Sequence, residues 1–129
     1  MAKVALNYFK RQSLKLQTLT QTGGQLSSIY VTPFEKASVI ISALATNTSN
    51  TNTNTVYAAL STEGTAVTQA SNEAIPFLSN FAIAPNDTVN IVVNKLVLGQ
   101  YDHLYVWAGD QNQGDVNLTL SILETVNTQ

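Results

Sequence analysis

Apolar and polar residues alternate with a period of two through much of this chain, the pattern of strands that bury one face. It is clearest near the end. Val116, Leu118, Leu120 and Ile122 interleave with Asn117, Thr119 and Ser121. Val89, Ile91 and Val93 against Asn90, Val92 and Asn94 predict a second strand, and Leu14 and Leu16 against Lys15 and Gln17 a third, within 13–21. Strands are also expected over 26–32, ahead of Pro33, and over 56–61. From Lys36 to Ala45 the chain is apolar or small at almost every position, which fits a doubly covered strand or a buried helix equally well. The β-branched centre Val39-Ile40-Ile41 decides for a strand. The stretch Lys95 to Gly109 reads as a β-hairpin: Leu96–Leu98 and Leu104–Ala108 flank the polar segment Gly99 to His103. Leu104, Val106 and Ala108 give its second arm an aliphatic face, and His103, Tyr105 and Trp107 an aromatic one. The aromatic face is surplus to a core and needs something to cover it.

Turn signals punctuate these runs at Gly23-Gly24, Glu63-Gly64, Pro85-Asn86-Asp87 and the polar connection Gly109 to Gly114. Thr46 to Thr55, TNTSNTNTNT, has nothing to bury and predicts a long exposed loop. Residues 65–80, with Pro76 and scattered small side chains, fit a loop or a short irregular strand. Seven to nine short strands without an amphipathic helix predict an all-β protein, an antiparallel β-sandwich or jelly-roll-like single domain over residues 13–129. Residues 1–12 are expected to form an extended N-terminal arm, dispensable for folding.

Charge sharpens the picture of the surface. Only 11% of residues are charged, against about 25% usually, and Thr, Asn, Ser and Gln together number 48 of 129. Neutral polar surfaces repel one another weakly, so close and permanent neighbours are tolerated. The formal net charge of −2 gives no general attraction to nucleic acid or an acidic membrane. Four of the six basic residues, Lys3, Lys10, Arg11 and Lys15, lie in the first fifteen positions, and every acidic residue lies at or beyond Glu35. The arm could therefore dock on an acidic surface, with Tyr8 and Phe9 as aromatic anchors beside the cations. No apolar run is long enough for a signal-peptide core or a membrane span, so neither is expected.

Reactive chemistry is sparse. Cysteine is absent and His103 is the single histidine, so a zinc site or a cysteine nucleophile is not expected. Asp102 and His103 are adjacent, which suits a turn cap better than an oriented general base. Asp110 and Asp115 lack the alternating ligand pattern of a calcium loop, and the carboxylates are scattered singly. No cofactor site is expected and no catalytic residue is assigned. Tyr101, Tyr105 and Trp107 are the aromatic candidates for an interface or for stacking on sugars. They are not interleaved with cations as single-stranded nucleic acid requires.

Ile29-Tyr30-Val31-Thr32-Pro33, the strand Ala37 to Ala45 running into Thr46-Asn47, Leu96-Val97-Leu98 with Asp102 and Leu104, and Val116 to Glu124 together resemble small β-sandwich virion proteins of tailed bacteriophages. The likeness spans roughly residues 26–125, and Gly99-Gln100-Tyr101 departs from the turn such proteins usually carry before the aspartate. The resemblance implies a non-enzymatic protein present in many copies in a virion, as a head decoration or cement protein or as a neck or tail component. Its implied partners are copies of itself around a rotational axis and other virion subunits such as the major capsid protein. The candidate contact residues are Lys3, Tyr8, Phe9, Lys10, Arg11, Lys15, Tyr101, Tyr105 and Trp107. A carbohydrate-binding or adhesive module built on the last three is the alternative.

Overall fold

A computed structural model describes residues 7–18, 28–61, 75–92, 94–109 and 115–126. The described residues form nine strands: β1 (Asn7–Lys15), β2 (Tyr30–Val31), β3 (Lys36–Asn47), β4 (Asn54–Ser61), β5 (Ile75–Ile83), β6 (Thr88–Asn90), β7 (Leu96–Leu98), β8 (His103–Ala108) and β9 (Val116–Val126). They form two antiparallel sheets packed face to face. The first has the order β1-β9-β3-β6, with β7 also paired to β3, and the second has the order β2-β8-β4-β5.

The pairing has a simple logic. β1 pairs with β9, β2 with β8, β3 with β6 and β7, and β4 with β5, as in one long antiparallel ribbon. Rolling the ribbon up adds β3 to β9 and β4 to β8, and sends successive steps of the ribbon into alternate sheets. The result is a jelly roll, in which the central strands β9, β3, β8 and β4 pair on both sides. Each sheet buries alternate positions. Ile40, Ala43, Ala45, Val116, Leu118, Leu120 and Ile122 from one sheet meet Val56, Ala58, Leu104, Val106 and Ala108 from the other. The C-terminal alternation thus forms β9 at the centre of its sheet, where both edges are paired.

The expected hairpin does not form. Leu98 pairs with Ser38 in the first sheet, while Leu104 pairs with Tyr30 in the second, so β7 and β8 lie across the sandwich from each other. Gly99–Asp102 is the corner between sheets, closed by an Asp102 N–H to Gly99 O bond of 3.1 Å and by the Asp102 carboxylate accepting the Gly99 N–H at 2.8 Å. Consecutive steps of a rolled ribbon cross between sheets, and a turn-like sequence between two strands does not distinguish a crossing from a hairpin.

The expected arm is also revised. Residues 7–12 belong to β1, in register with β9 from Asn7↔Thr125 to Lys15↔Asn117, and residues 1–6 lie outside the described part. After Lys15 the chain moves toward the second sheet, where Thr18 bridges to Ala108. The threonine- and asparagine-rich loop shrinks to residues 48–53, because β3 and β4 extend into it. Asn47 and Asn54 are fully buried there. Asn47 Nδ2 donates to Ile83 O at 2.9 Å and Asn52 O at 2.8 Å, and its Oδ1 accepts from Asn54 Nδ2 at 2.8 Å and the Ser49 N–H at 3.0 Å. Buried amides that satisfy loop backbone groups cannot be told from solvated ones by composition.

Candidate functional site

Residues opposite one another in a ladder share a face, so the register fixes what the first sheet shows to solvent. Phe9 pairs with Leu123, Leu123 with Val39, and Val39 with Val97. These four apolar side chains form one row across β1, β9, β3 and β7, pointing away from the core. Phe9 is 72% exposed and Val97 69%, while Leu123 and Val39 between them are half-buried. Ile41, where the β3–β9 register shifts, adds to the row and lines a shallow recess with Phe9, Arg11 and Ser121. Much of the rest of the face is hydroxyl-bearing, with Ser13 bonded to Thr119 at 3.2 Å and Thr46 to Thr88 at 2.8 Å, and Leu44, 40% exposed, lies among them. Its charged strand positions are Arg11 and Lys15, both exposed.

Lys10 points the other way. Its Nζ, on a partly exposed side chain, lies 3.6 Å from the buried Glu124 Oε2 and 5.9 Å from the centre of the Tyr30 ring, at the rim of a cluster that joins both sheets. Lys36 reaches Glu124 Oε1 at 3.7 Å and lies 5.9 Å above the ring of Tyr8. The Tyr30 hydroxyl donates to Glu124 Oε2 at 2.5 Å and accepts from Ser38 at 2.6 Å. Burial, and then the bond to Glu124, hold the Tyr30 phenol well above the usual tyrosine range. The cluster fixes β1 and β2 against β3 and β9.

The three aromatic candidates do not form a single platform. Tyr105 is fully buried although it faces outward from the second sheet. Trp107 is half-buried and stacked flat on Tyr57, with centroids 5.4 Å apart and planes at 8°. Tyr101 sits at the β7–β8 corner, stacked on Phe34. His103 Nδ1 lies 3.3 Å from Ser28 Oγ, and its ring stacks on Tyr105 at 6.3 Å, so it is not oriented by Asp102, whose carboxylate caps the corner instead. Among the described residues no three His, Cys, Asp or Glu side chains converge as a metal site would need, and no helix is long and apolar enough to cross a membrane. Asp110 and Lys3 lie outside the described residues.

Of the expected contact residues, Phe9, Arg11 and Lys15 share the outer face of the first sheet, Tyr8 points to the opposite face beside Lys36 at the edge strand, and Lys10, Tyr105 and Trp107 are engaged within the molecule. The sequence reading missed Val39, Val97, Leu123 and Phe34. A signal existed for three of them: Val39-Ile40, Leu96-Val97-Leu98 and Ile122-Leu123 place apolar residues consecutively in strands, so one of each group must face outward.

These surfaces define a class of fold, an all-β antiparallel jelly-roll sandwich, and nothing narrower. No family model and no curated protein matches the chain. Among solved structures, a chain from the crystal structure of the T13 IBDV viral particle is similar over 95% of this chain, at 10% identity and a TM-score of 0.49. The match spans 32% of that chain's length.

Proposed function

We propose that the protein is a non-enzymatic structural subunit of a virus particle, of the tailed-bacteriophage kind its sequence resembles. It works by packing against copies of itself and against neighbouring capsid, neck or tail subunits, and a head-decoration role is put first. The observation that carries the reading is the outward apolar row Phe9–Leu123–Val39–Val97 on a sheet whose inner face already fills a core. Cross-strand packing within the row leaves Phe9 and Val97 largely uncovered, and contiguous exposed apolar patches mark contact surfaces. The hydroxyl-rich, carboxylate-poor surroundings suit a subunit held among neighbours at high local density. Jelly rolls serve in capsids, in lectins and in enzymes of the cupin type, so it is the surface and not the fold that selects this reading.

Purified particles from cells that express the chain provide the test. Peptide mass spectrometry is expected to find the protein in the particle fraction in many copies, and a Val97→Asp variant is expected to fold yet be excluded from particles. Equal incorporation of that variant would remove the face from the account.

A further inference from the structure

We propose that two copies associate head to tail, with the Phe34–Tyr101 pair of one seated on the Phe9–Val97 row of the next. This rests on the assembly reading above and names the contact that assembly would use. The projecting element lies at one end of the sandwich, where the β2–β3 and β7–β8 turns meet. The Phe34 and Tyr101 rings stack with centroids 6.1 Å apart and planes at 25°, yet remain 61% and 40% exposed. Three bonds lace the two turns together. Tyr101 N–H donates to Thr32 O at 3.0 Å, Thr32 N–H to Asp102 O at 3.1 Å, and Glu35 N–H to Gln100 Oε1 at 2.7 Å. Glu35 and Tyr101 both hold left-handed backbone, with φ of 57° and 64°, whereas the other described non-glycine residues there are asparagines. Asparagine tolerates that region and a glutamate or tyrosine does so at a cost, so the turns hold strain to present an aromatic pair to solvent.

Charge selects the occupant. Beside the aromatic pair stand the carboxylates of exposed Glu35 and half-buried Asp102. The outward strand positions carry Arg11 beside the row, Lys15 further along β1 and, among the described residues, no carboxylate. Two rows face to face would oppose cations with cations, and two aromatic ends would oppose carboxylates with carboxylates. One end on one row joins apolar to apolar and acid to base. The recess between Phe9 and Ile41, about 250 Å³, provides room for a ring. The two surfaces share no residue, so the contact is heterologous: repeated, it closes a ring or extends a filament.

Sedimentation velocity on the full chain tests this. The wild-type protein is expected to gain mass with concentration beyond a dimer. Phe34→Asp and Val97→Asp, each at an exposed site, are expected to weaken association about tenfold or more. Mixed in equal amounts, they should form a one-to-one pair and stop, since one intact end then meets one intact row. Arg11→Glu mixed with Glu35→Arg should regain open-ended association that neither shows alone. Circular dichroism of each variant confirms folding. A wild type that stays monomeric, self-association of either aspartate variant at wild-type strength, or a mixture that fails to pair overturns the proposal. If the chain is found in particles while any of these holds, the head-to-tail contact falls and the virion reading stands; if the contact forms but the chain is absent from particles, the reverse follows.

Discussion

Glu124 is a buried carboxylate served by one phenol and two ammonium groups, and its surroundings decide how the fold responds to pH and mutation. A buried ion pair contributes little net stability, but leaving one member without its partners costs several kcal/mol. Tyr30→Phe removes the hydroxyl that donates to Glu124 and accepts from Ser38, and is expected to cost about 1–3 kcal/mol in urea unfolding at neutral pH. The raised Tyr30 phenol has a second consequence. An unfolded tyrosine ionises at about pH 10, whereas folded Tyr30 keeps its proton to higher pH, so above that point the unfolded state binds fewer protons. Stability is therefore fully present below about pH 10 and falls above it, by at most about 1.4 kcal/mol per pH unit. The same unfolding series in Tyr30→Phe should lack this part of the alkaline decline. Asn47 offers a contrast within one polar run. Asn47→Ala strips donors and acceptors from a buried network and is expected to cost more than about 2 kcal/mol, while Asn50→Ala, at an exposed position, should stay within about 0.5 kcal/mol.

Strands are the scale at which the sequence was most legible, and also where it misled. β3, β4 and β9 could be read because most of their inward positions are apolar, in long runs that a single register shift does not hide. β5 could not. It is an edge strand with two register shifts against β4, at Val56/Ala58 and Ala58/Ala59, and bulges erase the period of two that betrays a strand. Pro76 pointed away from a strand, yet an edge is the place where a strand accommodates proline. The split between β7 and β8 was invisible because partner choice is a property of the whole ribbon, not of the turn between two runs. Of the candidate site, the cations and Phe9 of β1 could be named from the sequence, but not the row they border, since that row exists only when four strands are brought into register. β1 itself makes a sharp case. Removing residues 1–12 deletes six of its nine pairings with β9, those of residues 7–12, and takes Lys10 from Glu124. The truncated chain is expected to lose denaturant resistance and hydrogen-exchange protection along β9, and an unchanged midpoint would show that β1 adds nothing to the fold. Trp107, the single tryptophan, reports on the other sheet. Tyr57→Ala uncovers its ring and should shift its emission to the red, with a loss of about 0.5–1.5 kcal/mol beyond the area term.

Seen as a whole molecule, the protein is a rolled ribbon whose two sheets share one apolar core among the described residues and leave apolar side chains bare outside it. The second sheet covers its outward aromatics in part, with Tyr105 buried and Trp107 stacked. The first sheet leaves Phe9 and Val97 bare. A scaffold with such a row on its outer face is suited to be one piece of a larger object, and in the contact proposed above the few charges around that row set how copies meet. Peptide mass spectrometry of gradient-purified particles, set against the soluble fraction of the same cells, is the most direct measurement of that claim. The chain is expected to sediment with particles in many copies. Recovery of the chain in the soluble fraction alone, with none in particles, would contradict it.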